Sequence, residues 1–123
     1  MRPPRRLDAD DALNRGPRLF GTSTRTAILV ALRLLETSYA SELAALLGTG
    51  LYSVQRVLTS LEAEGVVVSR LVGRTRQVTL NPRYFAHAQL AALLWEIGSH
   101  DEGLQRKLAA RRRRPRRGGK PGL

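Results

Sequence analysis

Glycine and proline cut the centre of this chain into short apolar runs, and the spacing inside each run restricts it to one kind of element. Between Thr24 and Glu36, Ile28, Leu32 and Leu35 recur at i, i+4 and i+7 without Gly or Pro. That spacing predicts a helix, with candidate N-caps in Gly21-Thr22-Ser23-Thr24. A short second helix is expected from about Ala40 to Leu47. Its apolar side is Leu43, Ala44, Leu46 and Leu47, Glu42 sits in the first turn where the helix dipole favours an acid, and Gly48 ends it. A third runs from about Leu51 to Glu64, with Val54, Val57, Leu58 and Leu61 at i, i+3, i+4 and i+7 and Gly65 as its stop. Val66 to Leu71 and Arg76 to Leu80 are rich in β-branched residues and flank Val72-Gly73-Arg74-Thr75, which predicts a β-hairpin with Gly73 in the turn. Asn81-Pro82 closes the second strand. A last helix is expected from about Arg83 to Ile97 on Ala86, Leu90, Leu93, Leu94 and Ile97, interrupted at Gly98 and weakly extended by Leu104 and Leu108 to about Ala110.

A chain of 123 residues suits one small domain with tails. The net charge of +11 is unevenly placed. Residues 1–21 carry +2, residues 22–105 are neutral with seven Arg and seven acids, and residues 106–123 carry +9 with no acid. Composition shifts at the same borders. These shifts predict a loosely docked or disordered N-terminal arm (1–18), a folded domain (19–98), and an Arg-rich tail (99–123) that is helical to about residue 110 and disordered beyond. So basic a balance favours a polyanionic partner. The absence of cysteine excludes disulfides, thiolate metal sites and Cys nucleophiles. No apolar run approaches the roughly 20 residues that span a bilayer. The N-terminal residues lack the apolar middle of a signal peptide, so a cytoplasmic, nucleoid-associated protein is expected, with no membrane partner.

At 100° per residue, the face of the third helix opposite its apolar stripe shows Tyr52, Arg56, Thr59 and Ala63, flanked by Ser53, Gln55 and Ser60. Arg70, Arg74 and Arg76 crowd the hairpin without a carboxylate beside them in sequence, next to Thr75. The segments Glu42-Leu43-Ala44-Ala45-Leu46-Leu47-Gly48, Ser53-Val54-Gln55-Arg56-Val57-Leu58 and Leu61-Glu62-Ala63-Glu64-Gly65-Val66-Val67 together resemble the winged helix-turn-helix superfamily, close to the ArsR-like prokaryotic regulators. The hairpin from Ser69 to Pro82 looks like that family's wing. The resemblance covers about residues 19–98. It implies an α+β fold, mainly helical, in which the helix-turn-helix is followed by a β-hairpin wing and a final helix. It also implies a dimeric transcriptional regulator, with repression by blocking polymerase the simplest mode for a chain with no second domain.

A major groove about 12 Å wide admits one helix, so the polar face of the third helix can reach base edges and phosphates of double-stranded DNA. Arg56 suits bidentate contact with guanine and Gln55 suits adenine, while Tyr52 and Ser53 near the helix start suit phosphate, with Thr59 and Ser60 on the same surface. The resemblance gives Arg70, Arg74, Thr75 and Arg76 the backbone or minor groove. Arg111, Arg112, Arg113, Arg114, Arg116 and Arg117 are candidates for non-specific nucleic-acid contacts, RNA included. The resemblance, in which the first and last helices often form the dimer interface, makes Ile28, Leu32, Leu90, Leu94, Trp95 and Ile97 candidate homodimer contacts. His100-Asp101-Glu102 reads as a surface patch, because one imidazole with two adjacent carboxylates is poor spacing for a metal site. No nucleophile–base set, phosphate loop or paired carboxylate stands out, so no catalytic site and no cofactor are expected. The competing reading is a protein-interaction adaptor, or antitoxin-like partner, whose tail supplies generic affinity for DNA or RNA.

Overall fold

The computed structural model describes residues 18–113. The expected N-terminal arm up to residue 17 lies outside the described residues, as do Arg114, Arg116, Arg117 and the side chains of Arg112 and Arg113. Among the described residues the order is α1 (Ser23–Leu35), α2 (Ala40–Leu47), α3 (Leu51–Ala63), β1 (Val67–Val72), β2 (Thr75–Leu80), α4 (His87–Ser99) and α5 (Glu102–Arg113). The α+β winged-helix architecture expected from the sequence is the one observed.

Local chemistry accounts for most of the boundaries. Thr22 caps α1, its Oγ1 accepting the Arg25 N–H at 3.0 Å. Thr26, fully buried, accepts the Phe20 N–H at 3.1 Å and folds the preceding chain back over the helix start. Between α2 and α3 the chain turns through Gly48 in the left-handed region (φ 65°), where a side chain would be strained, and Gly50 serves as the N-cap of α3 without a side-chain bond. The hairpin pairs antiparallel from Val67↔Leu80 to Val72↔Thr75, so its turn is the two residues Gly73-Arg74. Gly73 has φ 64° at the first central position, where tight hairpin turns call for glycine. Ser38 adds a one-residue third strand: its N–H and carbonyl both pair with Val78, at 3.1 and 2.8 Å.

The core gathers around α1. Ile28, Leu32, Leu43, Val54, Leu61 and Leu94 are all essentially without solvent contact. Three of these, Ile28, Leu32 and Leu94, were expected as candidate dimer contacts. They are instead satisfied within one chain and have no surface to offer a partner. Leu90 and Ile97 are half-buried against the same core, and Trp95 remains 47% exposed.

Two further differences from the sequence reading have identifiable causes. The last helix begins at His87 rather than Arg83, because Asn81 organises successive turns. Its Oδ1 accepts the Arg83 N–H and its carbonyl accepts the Tyr84 N–H, both near 3 Å. The break expected at Gly98 is observed: α4 ends one residue later, at Ser99, and a Cβ on Gly98 would come within 2.9 Å of Leu34 Cδ1 and 3.0 Å of Val30 Cγ1. Glycine here permits close approach of α4 to α1. Leu104 and Leu108 do not extend α4 but belong to a separate helix, α5, whose start Asp101 caps through Oδ1 to the Leu104 N–H at 3.0 Å. Both leucines are buried and join the core.

Candidate nucleic-acid interface

The helix-turn-helix presents the outer side of α3. With Val54, Leu58 and Leu61 drawn into the core, the residues between them face outward. Tyr52, Gln55, Arg56 and Thr59, at i, i+3, i+4 and i+7, line one open depression on the helix surface. Tyr52 is 71% exposed, and the Arg56 guanidinium carbon lies 5.8 Å from its ring centroid, a cation–π distance that aligns the arginine along the helix face. Ser53 is exposed beside this surface. Ser60 is not part of it. It is half-buried and accepts a hydrogen bond from Arg25 Nη1 at 3.1 Å, while Arg25 Nη2 reaches Glu64 Oε1 at 2.6 Å. Arg25 therefore braces the start of α1 against the end of α3, a role the sequence reading did not detect because 39 residues separate the two partners.

The wing carries its arginines on both of its faces. Paired residues share a face and neighbours alternate. Arg76 therefore lies with Leu71 and Ser69 on one face, Arg70 with Val72 and Thr75 on the other, and Arg74 in the turn. All four expected wing residues are exposed. A carboxylate does approach them, contrary to the impression from sequence: Arg76 Nη1 donates to Ser69 Oγ at 3.2 Å, which donates to Glu62 Oε2 on α3 at 3.0 Å. That relay ties the wing to the outward-facing helix. No acidic residue occurs between positions 65 and 95, a stretch with four arginines.

Arg111, expected as a tail residue, pairs with Glu42 in the first turn of α2. The other carboxylate oxygen of Glu42 accepts from Ser38 Oγ at 2.6 Å. The start of the arginine run is thus fastened to the helix-turn-helix and, through Ser38, to β2. In the His100-Asp101-Glu102 segment, Asp101 is occupied as a helix cap and His100 Nδ1 lies 2.9 Å from the Glu96 carbonyl. Among the described residues no group of three or more His, Asp or Glu side chains could hold a metal ion, and no helix is long and apolar enough to cross a membrane. Away from α3, a cavity of about 470 Å³ lies between α1, the end of β2 and the start of α4. It is lined by Arg33, Thr79 and His87 among others, and His87 Nδ1 is buried with no hydrogen-bond partner.

No protein-family model matches the chain, and no curated protein matches it by sequence. Solved structures of two proteins, MarR and ZitR, do share its fold. The reduced form of MarR from E. coli superposes with TM-score 0.58 at 19% identity, over 90% of this chain and 85% of that one. Wild-type apo MarR from E. coli gives 0.56 at 21% identity with the same coverage. A single-site mutant of Lactococcus lactis ZitR gives 0.53 at 20% identity over 74% of this chain, which spans only 57% of the ZitR chain. At these identities the likeness is one of fold.

Proposed function

We propose that this chain is a sequence-selective double-stranded-DNA-binding transcriptional regulator, acting as a homodimer and repressing by occlusion of polymerase. In this reading α3 enters the major groove. Arg56 and Gln55 read base edges, Tyr52, Ser53 and Thr59 hold phosphates or base edges beside them, and Arg70, Arg74, Thr75 and Arg76 lie on the backbone or minor groove. Ser60 takes a bracing role instead of a DNA contact. The observation that carries the proposal is the continuous outward surface of Tyr52, Gln55, Arg56 and Thr59 on a helix linked to an arginine-bearing wing. The fold shared with MarR and ZitR is compatible with it. The narrower ArsR-like assignment rests on the helix-turn-helix segments quoted above. For the homodimer, the half-exposed Trp95 with Leu90 and Ile97 on α4 are the remaining contacts, and the 41% exposed Leu93 adds to them.

Selection from genomic DNA supplies the cognate site, and Arg56→Ala tests its readout. Binding to that site is expected to weaken far more than binding to random duplex. Equal loss on both would reduce Arg56 to a phosphate contact and remove direct readout from α3. Binding that shows no selectivity and vanishes when residues 114–123 are removed would favour the adaptor reading, with DNA or RNA held by the tail alone.

A further inference from the structure

The end of the wing is apolar as well as basic. Leu71 is 62% exposed, Val72 42% and Val68 39%. Register divides them between the two sides of the ribbon: Leu71 stands opposite Arg76 on one, while Val68 and Val72, with Arg70 between them, occupy the other. Scattered exposed aliphatics need no explanation, but a tip that is both apolar and cationic on each face has a restricted set of matching surfaces. A flat anionic layer, such as a bilayer surface, can engage only one face of a ribbon. A cleft with two negatively charged rims and less polar walls engages both, and the minor groove of duplex DNA has that form, with phosphates along its edges and sugars and base edges between them. The absence of acidic residues from 65 to 95 favours the same partner. The tip is also held in place, because the Arg76–Ser69–Glu62 relay fastens it to α3 and the Ser38–Val78 pair fastens β2 to the segment before α2.

We propose that the wing tip enters the minor groove beside the α3 site and that Leu71 acts there as an apolar wedge, partly unstacking one base step and bending the duplex. The proposal rests on the reading of the chain as a duplex-DNA-binding protein. An undistorted minor groove, about 6 Å wide, is too narrow for a two-stranded ribbon. Entry therefore requires widening, which an aliphatic side chain inserted between base pairs produces, with bends of roughly 20–90° toward the major groove. Arg70 and Arg74 then lie against the flanking phosphates. Pyrimidine–purine steps unstack most easily, so the wedge adds sequence preference at a position where no hydrogen bond is read.

The test uses the full chain and a short duplex carrying the selected site, with a fluorophore at each end and the adenine analogue aminopurine at the step facing the wing. Wild-type protein should shorten the end-to-end distance and brighten the aminopurine. Leu71→Ala should lose most of both signals and the preference for a pyrimidine–purine step, and Leu71→Phe should restore them. Leu71 is exposed, so circular dichroism should find the variants folded. A duplex bound selectively but left straight, or a bend unchanged by Leu71→Ala, overturns the wedge and leaves the DNA-binding reading standing. Absence of selective duplex binding by the wild type overturns both. A straight duplex together with Leu71-dependent self-association, or with Leu71-dependent binding to vesicles containing anionic lipid, overturns the wedge and assigns the tip to a second copy or to a membrane.

Discussion

Gly98→Ala isolates the contact between α1 and α4. In an ordinary helix interior this substitution stabilises by about 0.5–1 kcal/mol, because glycine loses more backbone freedom on folding. At position 98 the new methyl would sit 2.9 Å from Leu34 Cδ1, 3.0 Å from Val30 Cγ1 and 3.1 Å from Leu34 Cγ. Carbon atoms in good contact stand about 3.5–4.0 Å apart, so two side chains must each yield roughly half an ångström. Val30 is 2% exposed, and a β-branched residue in a helix has one strongly preferred rotamer, so it cannot swing away. Leu34 can move, but only by giving up packing against the core. Overfilling of this kind costs about 1–3 kcal/mol, and against the propensity gain the expected net loss is about 0.5–2 kcal/mol. For a domain of this size each 1 kcal/mol lowers Tm by about 4–8 °C. Thermal and urea unfolding followed by far-UV circular dichroism measures the loss. Gly103→Ala is the matched control: its methyl would meet Asp101 Oδ1 at an ordinary 3.6 Å, so stability should rise by about 0.4–1 kcal/mol. If Gly98→Ala stabilises as much as Gly103→Ala, the close approach of the two helices is refuted. Adding Leu34→Ala to Gly98→Ala should cost less than the two single losses combined, since the clash is shared.

Leu108→Ala, at a side chain only 3% exposed, should cost about 2–5 kcal/mol in urea unfolding; a loss below 0.5 kcal/mol would remove α5 from the fold. Asp101→Ala deletes the cap of α5 and should cost about 1 kcal/mol, with the drop in helical signal confined to that helix as judged by amide exchange. Truncation after Arg113 removes Arg114, Arg116, Arg117 and Lys120. The slope of log affinity against log salt should become shallower by at most about 3–4, at about 0.9 per phosphate contact. Selectivity for the cognate site should be unchanged in the same titration, whereas its loss would move sequence readout into the tail.

The elements that were legible in sequence are those whose signals are local. The Val54–Leu61 stripe bounded by Gly50 and Gly65 specifies α3 and, by subtraction, its outward face. Gly73 between two β-branched runs specifies the hairpin. The features that escaped depend on partners distant along the chain. Gly98 reads only as a helix breaker, and its close approach to Val30 and Leu34 is invisible in its own segment. Leu104 and Leu108 look like sparse decoration of a charged tail, because two apolar residues in an arginine-rich segment carry little periodic signal. Ser38 shows no strand character in its own neighbourhood, since its pairing is made by Val78, 40 residues on. Ile28, Leu32 and Leu94 illustrate a different obstacle. Periodicity finds an apolar face but does not say whether the same chain or a second copy covers it, and a small domain uses most of its apolar residues for its own core. At the candidate site, exposure of Tyr52, Gln55, Arg56 and Thr59 followed from the helical period, whereas the diversion of Ser60 to Arg25 and the attachment of Arg76 to Glu62 required the tertiary arrangement.

The stacking of Arg33 on Trp95 gives the molecule an optical probe of its own. Trp95 is the chain's single tryptophan. The guanidinium carbon of Arg33 lies 4.9 Å from its ring centroid, and Arg33 Nε donates to the Ala91 carbonyl at 2.9 Å, so the indole marks the seam between α1 and α4. With about half of its surface in water, it faces two environments at once. Parting of the helices exposes the inner side and moves the emission to the red. A second copy seated on α4 dries the outer side and moves it to the blue. A blue shift that grows with protein concentration at constant ellipticity is therefore the spectroscopic signature of self-association on this face, obtained without a label.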